Sequence, residues 1–187
     1  MESNVKCLIT TKPNKGKKCI NEILNRLLIK DINAKVIEYI NNILLIYSNL
    51  DPMIIYGLLI SSPPSCAEKI FPFHLILEKD EKKIISETMN FMINKFKNIK
   101  TFFVRCYNRG GEINCRAIEM GIGISLRNFL IVDFKNPDII IYVNALKEFV
   151  GISFLKKGQE KFQLTLSHTK YKVIPHNLDR GKSFGIN

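Results

Sequence analysis

The side chains with the clearest chemical potential in this chain are cations placed at turns. Lys12, Lys15, Lys17 and Lys18 crowd a Pro13–Gly16 turn that opens a helical segment. Free backbone N–H groups at a helix N-terminus attract anions, and surrounding ammonium groups add diffuse positive charge. The same spacing also fits a solvated lysine loop. Arg105, Arg109 and Arg116 follow a second pattern. Arg105 alternates with apolar neighbours in a strand, Arg109 ends that strand beside Gly110 and Gly111, and Arg116 falls early in the next helix. A cation near a helix N-terminus is unfavourable, so Arg116 points to something negative bound there. Gly110 and Gly111 let the backbone come close to a phosphate. The chemistry these residues suggest is anion binding, not bond making.

Candidates for bond making fail one by one. Gly121-Ile122-Gly123 lacks the third glycine of a dinucleotide loop and does not directly follow a strand. Gly181-Lys182-Ser183 ends like a phosphate-binding loop, but His176 stands where the upstream glycine is required. His74, His168 and His176 pair with no recognisable nucleophile, and only Asp179 lies near the last two. Asp133 and Asp138 flank a turn, where capping and turn hydrogen bonds are their expected work. Cys7, Cys19, Cys66, Cys106 and Cys115 include no C-x-x-C pair and no usual zinc spacing. An odd cysteine count argues against a disulfide framework and suggests small buried hydrophobes. The reading is a non-enzyme with no cofactor and no metal.

Charge narrows the partner. Lys and Arg outnumber Asp and Glu by 28 to 17, for a net charge of +11. The excess is uneven: 10 basic against 7 acidic residues up to Lys79, and 18 against 10 from Asp80 onward. Such a surplus favours a polyanion, because each phosphate neutralised releases counterions. A chain merely rich in Lys, Ile and Asn would show the same totals. No apolar run approaches the ~20 residues of a membrane span, and Met1-Glu2-Ser3-Asn4 is unlike a signal peptide. A cytoplasmic protein is expected.

The elements that must hold these residues read as two α+β units. The first is strand–helix–strand–strand–helix–strand. Cys7–Thr10 is a strand, and Ile20, Ile23, Leu24, Leu27 and Leu28 line one helix face. Residues 34–40 and 43–47 form a hairpin across Asn41-Asn42, because asparagine tolerates positive φ. Asp51-Pro52 starts a second helix, and a strand over 69–77 closes the unit in the order of a ferredoxin-like split βαβ fold. In the second unit, Ile84 to Phe96 carries one apolar stripe. A strand over 101–107, a helix over 112–127, a strand over 129–134 and a hairpin over 139–145 and 149–155 follow. Gly121 and Gly123 each weaken the helix by about 1 kcal/mol.

This second unit resembles the THUMP domain of tRNA-modifying proteins. The resemblance runs from about Asp80 to Leu155 and rests on Phe103-Val104-Arg105, Arg109-Gly110-Gly111, the helix containing Ile118 and Gly121, and Val132-Asp133-Phe134-Lys135-Asn136-Pro137-Asp138. The last stretch is similar to the family's V-D-L-x-N-P-D turn, with Phe134 in place of a leucine. It implies a ferredoxin-like domain over 1–79 and a THUMP domain over 80–187 with a basic tail. It also implies an RNA-binding platform for tRNA, engaging the acceptor stem and 3′ end. Only 32 residues follow Leu155, too few for the catalytic modules that relatives carry. The architecture is therefore most similar to adaptors that present tRNA to a separate acetyltransferase forming N4-acetylcytidine. Two alternatives stay open: an RNA-modifying activity around His168, His176 and Asp179, and a protein-interaction subunit whose charge is incidental.

Overall fold

Alternation of apolar side chains along the strands gives each sheet two faces to bury, and the fold buries both. The computed structural model describes residues 4–162. The first sheet takes β1 (Val5–Thr11), β2 (Lys35–Ile40), β3 (Ile43–Tyr47) and β4 (Ala67–Pro72) in the order β2-β3-β1-β4, all antiparallel. Helices α1 (Gly16–Leu27) and α2 (Pro52–Ser61) cover one face. Cys7, Ile9, Leu44, Ile46 and Ile70 point to them, meeting Cys19, Ile23, Ile55 and Leu59. Leu8, Ile43, Leu45 and Phe71 point the other way. This element and strand order is that of the split βαβ arrangement.

The second sheet takes β5 (Leu75–Leu77), β6 (Thr101–Asn108), β7 (Ile131–Val132), β8 (Ile139–Ala145) and β9 (Val150–Leu155) in the order β5-β9-β8-β6-β7. Pairs β6–β7 and β6–β8 are parallel, and the others antiparallel. Helices α3 (Glu81–Lys95) and α4 (Cys115–Leu126) pack on one face through Ile84, Met92, Ile118 and Ile122, against Phe102, Ile139, Ile141 and Val143. The opposite face presents Ile140, Tyr142 and Leu155 to the first sheet. Four layers result: helices, sheet, sheet, helices. The central apolar layer joins the two units, with Phe71 and Tyr142 edge to face at 5.2 Å. Burying one such side chain contributes roughly 1.5–3 kcal/mol. That is why β3 and the first five residues of β8, Ile139 to Val143, read as apolar runs and not as alternating ones.

Several expected boundaries move, each for a local reason. The strand expected over 69–77 is two strands, β4 in the first sheet and β5 in the second, with Phe73 and His74 crossing between them. The α4 helix begins at Cys115, not Glu112, because the Asn114 side chain caps it by accepting from Ala117 N at 3.2 Å. The strand expected over 129–134 shrinks to Ile131–Val132. There the Asp133 carboxylate turns the chain by accepting from Lys135 N at 2.8 Å and Asn136 N at 3.0 Å. Four cysteines pair, against expectation: Cys19 with Cys66 and Cys106 with Cys115, at Cα separations of 5.6 and 5.3 Å. Residues 47 and 9 apart in sequence are brought together by the fold, which no spacing rule exposes. Cys7 alone is a buried free thiol, as a small hydrophobe. No helix of the described residues is long and apolar enough to cross a membrane.

Candidate nucleic-acid interface

The first lysine cluster sits where β1 passes into α1. Lys12, Lys15, Lys17 and Lys18 are all exposed, on a turn where Asn14 adopts φ 58°. Lys15 occupies the cap position of α1 without a side-chain cap, and the first turn contains no acid. Two of the four have partners, one 53 residues away and one at helical i,i+4 spacing. Lys12 Nζ donates to Ser65 O at 3.0 Å, and Lys18 Nζ lies 3.6 Å from a Glu22 carboxylate oxygen. The Glu38 carboxylate also packs against Gly16 at the helix start. Lys15 and Lys17 therefore have the freest ammonium groups of the four.

The arginines come from β6 and the turn behind it. Arg105 and Tyr107 share the face of β6 that carries Phe103, the face turned toward the first sheet. Arg105 is exposed, its guanidinium 5.4 Å from the Phe103 ring centre. Arg109 is half-buried in the seam between the sheets. Its Nε donates to Asn144 Oδ1 at 2.7 Å, and its guanidinium lies 4.9 Å over Tyr107 and 5.6 Å from Phe71. Burial pushes the Arg109 guanidinium down from its ordinary range, yet arginine remains cationic. Arg109 thus has a structural task that its sequence position did not reveal.

Gly110 and Gly111 differ in what they require. Gly110 has φ +92°, which glycine adopts without strain. Gly111 instead lies so close to the β8 end that an added Cβ would meet Leu146 O at 2.7 Å. Its glycine is explained by packing on its own chain. Arg116 is exposed in the first turn of α4 and lines a cavity of about 480 Å³ with Phe103, Glu119, Met120, Val132 and Phe134. Phe103 and Phe134 stand edge to face there at 5.3 Å.

The aspartates do turn work. Asp138 accepts from Lys100 N and Thr101 N, both at 2.9 Å, and its own N–H donates to Thr101 Oγ1 at 2.9 Å. These N–H donors hold its carboxyl below the ordinary carboxylate range. The Asn136-Pro137-Asp138 segment therefore clips the start of β8 to the start of β6. His74 packs edge to face on Phe91 and Phe154. Among the described residues no three His, Cys, Asp or Glu side chains converge as metal ligands would. His168, His176, Asp179 and the Gly181-Lys182-Ser183 stretch lie outside the described residues.

The fold and its surface define a class: a four-layer α+β module with cations over aromatic rings along the seam of its two sheets. Solved structures share this arrangement of elements. PH1313 from Pyrococcus horikoshii aligns with a TM-score of 0.62 at 17% identity, over 84% of this chain and 55% of its own. TrmN from Thermus thermophilus aligns with a TM-score of 0.60 at 14% identity, over 84% and 47%. A 4-thiouridine synthetase, solved with RNA and ATP, aligns with a TM-score of 0.56 at 20% identity, over 81% and 41%. The chain spans about half the length of these proteins. At such identities the likeness is one of fold. No protein-family model and no curated protein sequence matches the chain.

Proposed function

We propose that the chain is a tRNA-binding adaptor of the THUMP type, presenting tRNA to a separate modifying enzyme. The observation that carries this reading is the seam. Arg105 and Arg109 are held on aromatic rings at the junction of the two sheets, and no carboxylate lies within ion-pair distance of either among the described residues. Cations concentrated this way, on a fold shared with a synthetase solved bound to RNA, suit A-form RNA. Such RNA is recognised by shape, phosphates and 2′-hydroxyls. Arg105, Arg116, Lys15 and Lys17 would meet phosphates, and Arg109 would keep the seam in register. The finer reading is an adaptor for N4-acetylcytidine formation, with no catalytic step or cofactor of its own. It is supported by the THUMP resemblance and by the lack of a recognisable catalytic constellation in the sequence.

Filter binding against folded tRNA and a single-stranded RNA of equal length tests this. Affinity is expected to favour folded tRNA at moderate salt and to fall steeply as salt rises. Arg105→Ala and Arg116→Ala should weaken binding with little change in stability, since both side chains are exposed. Equal affinity for the two RNAs would remove the tRNA reading. The acetylation reading is checked by nucleoside analysis of tRNA from cells lacking the protein: N4-acetylcytidine should fall, and an unchanged level rejects that role.

A further inference from the structure

The two cation groups are joined by a third that the sequence does not show. After β9 the chain turns back to the first sheet, where Ile70 N donates to Glu160 O at 2.8 Å and Phe162 N to Glu68 O at 3.1 Å. Phe162 is buried in the first unit's core. This return sets Lys161 directly opposite Lys69 in an antiparallel bridge. Like charges facing each other across strands are destabilising, so the pairing has a cost that a bound anion would remove. The two lysines line one cavity of about 440 Å³ with Lys12, Ser65, Phe162 and the Pro63-Pro64 wall. Its one carboxylate, Glu68, makes no ion pair with any of the three lysines among the described residues.

Lys69 links the cavity to the arginine group through one aromatic ring. Lys69 Nζ stands 5.8 Å from the Tyr107 ring centre, and the Arg109 guanidinium stands 4.9 Å from the same ring. Lys69 and Arg109 on one ring, with Lys161 opposite Lys69, make a positive strip of three cations running from the first unit to the second. We infer that Lys12, Lys69 and Lys161 form a phosphate-binding pocket for the RNA backbone, linking the α1 turn to Arg105 and Arg109. The cavity falls within the size range of small-ligand sites, room enough for a phosphodiester and its sugar. Three rotatable ammonium groups suit a phosphate as point charges. This inference rests on the RNA-binding reading and adds residues to it that had no role there.

The test compares the full chain with a Lys69→Gln, Lys161→Gln variant. Anisotropy with folded tRNA is followed from about 50 to about 200 mM salt. Removing two phosphate-binding cations should flatten the logarithmic salt dependence by about 1.8, so wild type should lose about twelve-fold more affinity than the variant over that range. The thermal midpoint should hold or rise, since an opposed like-charge pair is relieved. If wild type binds tRNA and the variant matches it in affinity and slope, the pocket is off the RNA path and the inference fails. If wild type does not bind tRNA, the RNA reading itself fails. A parallel titration with inorganic phosphate separates the ligand's source. Phosphate binding abolished in the variant while tRNA binding is untouched would assign the pocket to a small phosphorylated molecule and overturn the inference.

Discussion

Gly111→Ala is the smallest chemical change to which the structure assigns a large effect. The added Cβ would stand 2.7 Å from Leu146 O and 3.0 Å from both Ala145 C and Ala145 Cβ. These are backbone atoms and a Cβ, so no rotamer change relieves the contact. The 109–111 backbone must lift away from Ala145, whose carbonyl accepts from Arg109 N at 2.7 Å and from Gly111 N at 3.3 Å. Overpacking of this kind costs about 1–3 kcal/mol, and a weakened hydrogen bond adds about 1 kcal/mol. The expected loss is about 2–4 kcal/mol, or roughly 4–16 °C in melting temperature for a chain of this length. Gly123→Ala is the matched control. Its Cβ would meet nothing within 4 Å inside α4, so it should gain about 0.8–1 kcal/mol from helix propensity alone. Urea unfolding followed by circular dichroism reads both. A Gly111→Ala protein as stable as wild type, or a destabilised Gly123→Ala, would refute the account of this turn.

Two further predictions concern buried groups. Burial pushes the His74 imidazole below its ordinary range, and its Nδ1 accepts from Phe154 N at 3.3 Å. The unfolded chain therefore binds the proton more readily, so this contribution to stability is full above about pH 6.5 and is lost as pH falls through the lowered value. NMR titration of the His74 ring should give a midpoint below 6.5, and one at or above the free-histidine value would contradict the packing described. The Cys19–Cys66 bond closes a long loop, worth about 4 kcal/mol in the chain-entropy model. Thiol counting on oxidised, denatured protein should find Cys7 alone, and reduction should lower the melting temperature. Five reactive thiols before reduction would show that neither pair forms.

The elements were legible wherever a local rule fixes them. Asn42 takes φ 64° at the hairpin, and Asp51 caps α2 by accepting from Met53 N at 2.7 Å, both as their residue types suggest. The contacts between distant segments were not. Nothing in the sequence around Phe73 and His74 says that the chain leaves one sheet for the other. Nothing after Leu155 says that Phe162 returns to the first core. The site shows the same division. Arg105 and Arg116 are exposed, as their turn and helix positions indicate. Lys69 and Lys161 were invisible because their meaning comes from being opposite each other, 92 residues apart in sequence. Arg109 was half legible: its place beside two glycines was plain, its bond to buried Asn144 was not.

That bond makes the seam a place where stability and affinity compete. The central layer of Leu8, Leu45, Phe71, Tyr142 and Leu155 holds the two sheets together through apolar contact. At its margin, Lys69 of the first sheet and Arg109 behind β6 crowd one tyrosine, so charge repulsion opposes the same contact. The apolar layer offsets that repulsion at rest. A polyanion lying along the strip would remove it, and binding only the docked arrangement would stabilise the protein by mass action. Under the proposed RNA-binding role, Arg109→Ala would therefore lower RNA affinity by two routes at once, a missing cation and a loosened seam. Arg109→Lys separates them: charge stays while the guanidinium over Tyr107 and its directed bond to Asn144 go. If affinity follows charge alone, Arg109 meets the RNA directly. If it follows stability, Arg109 acts by holding the two sheets in register for the exposed cations around it.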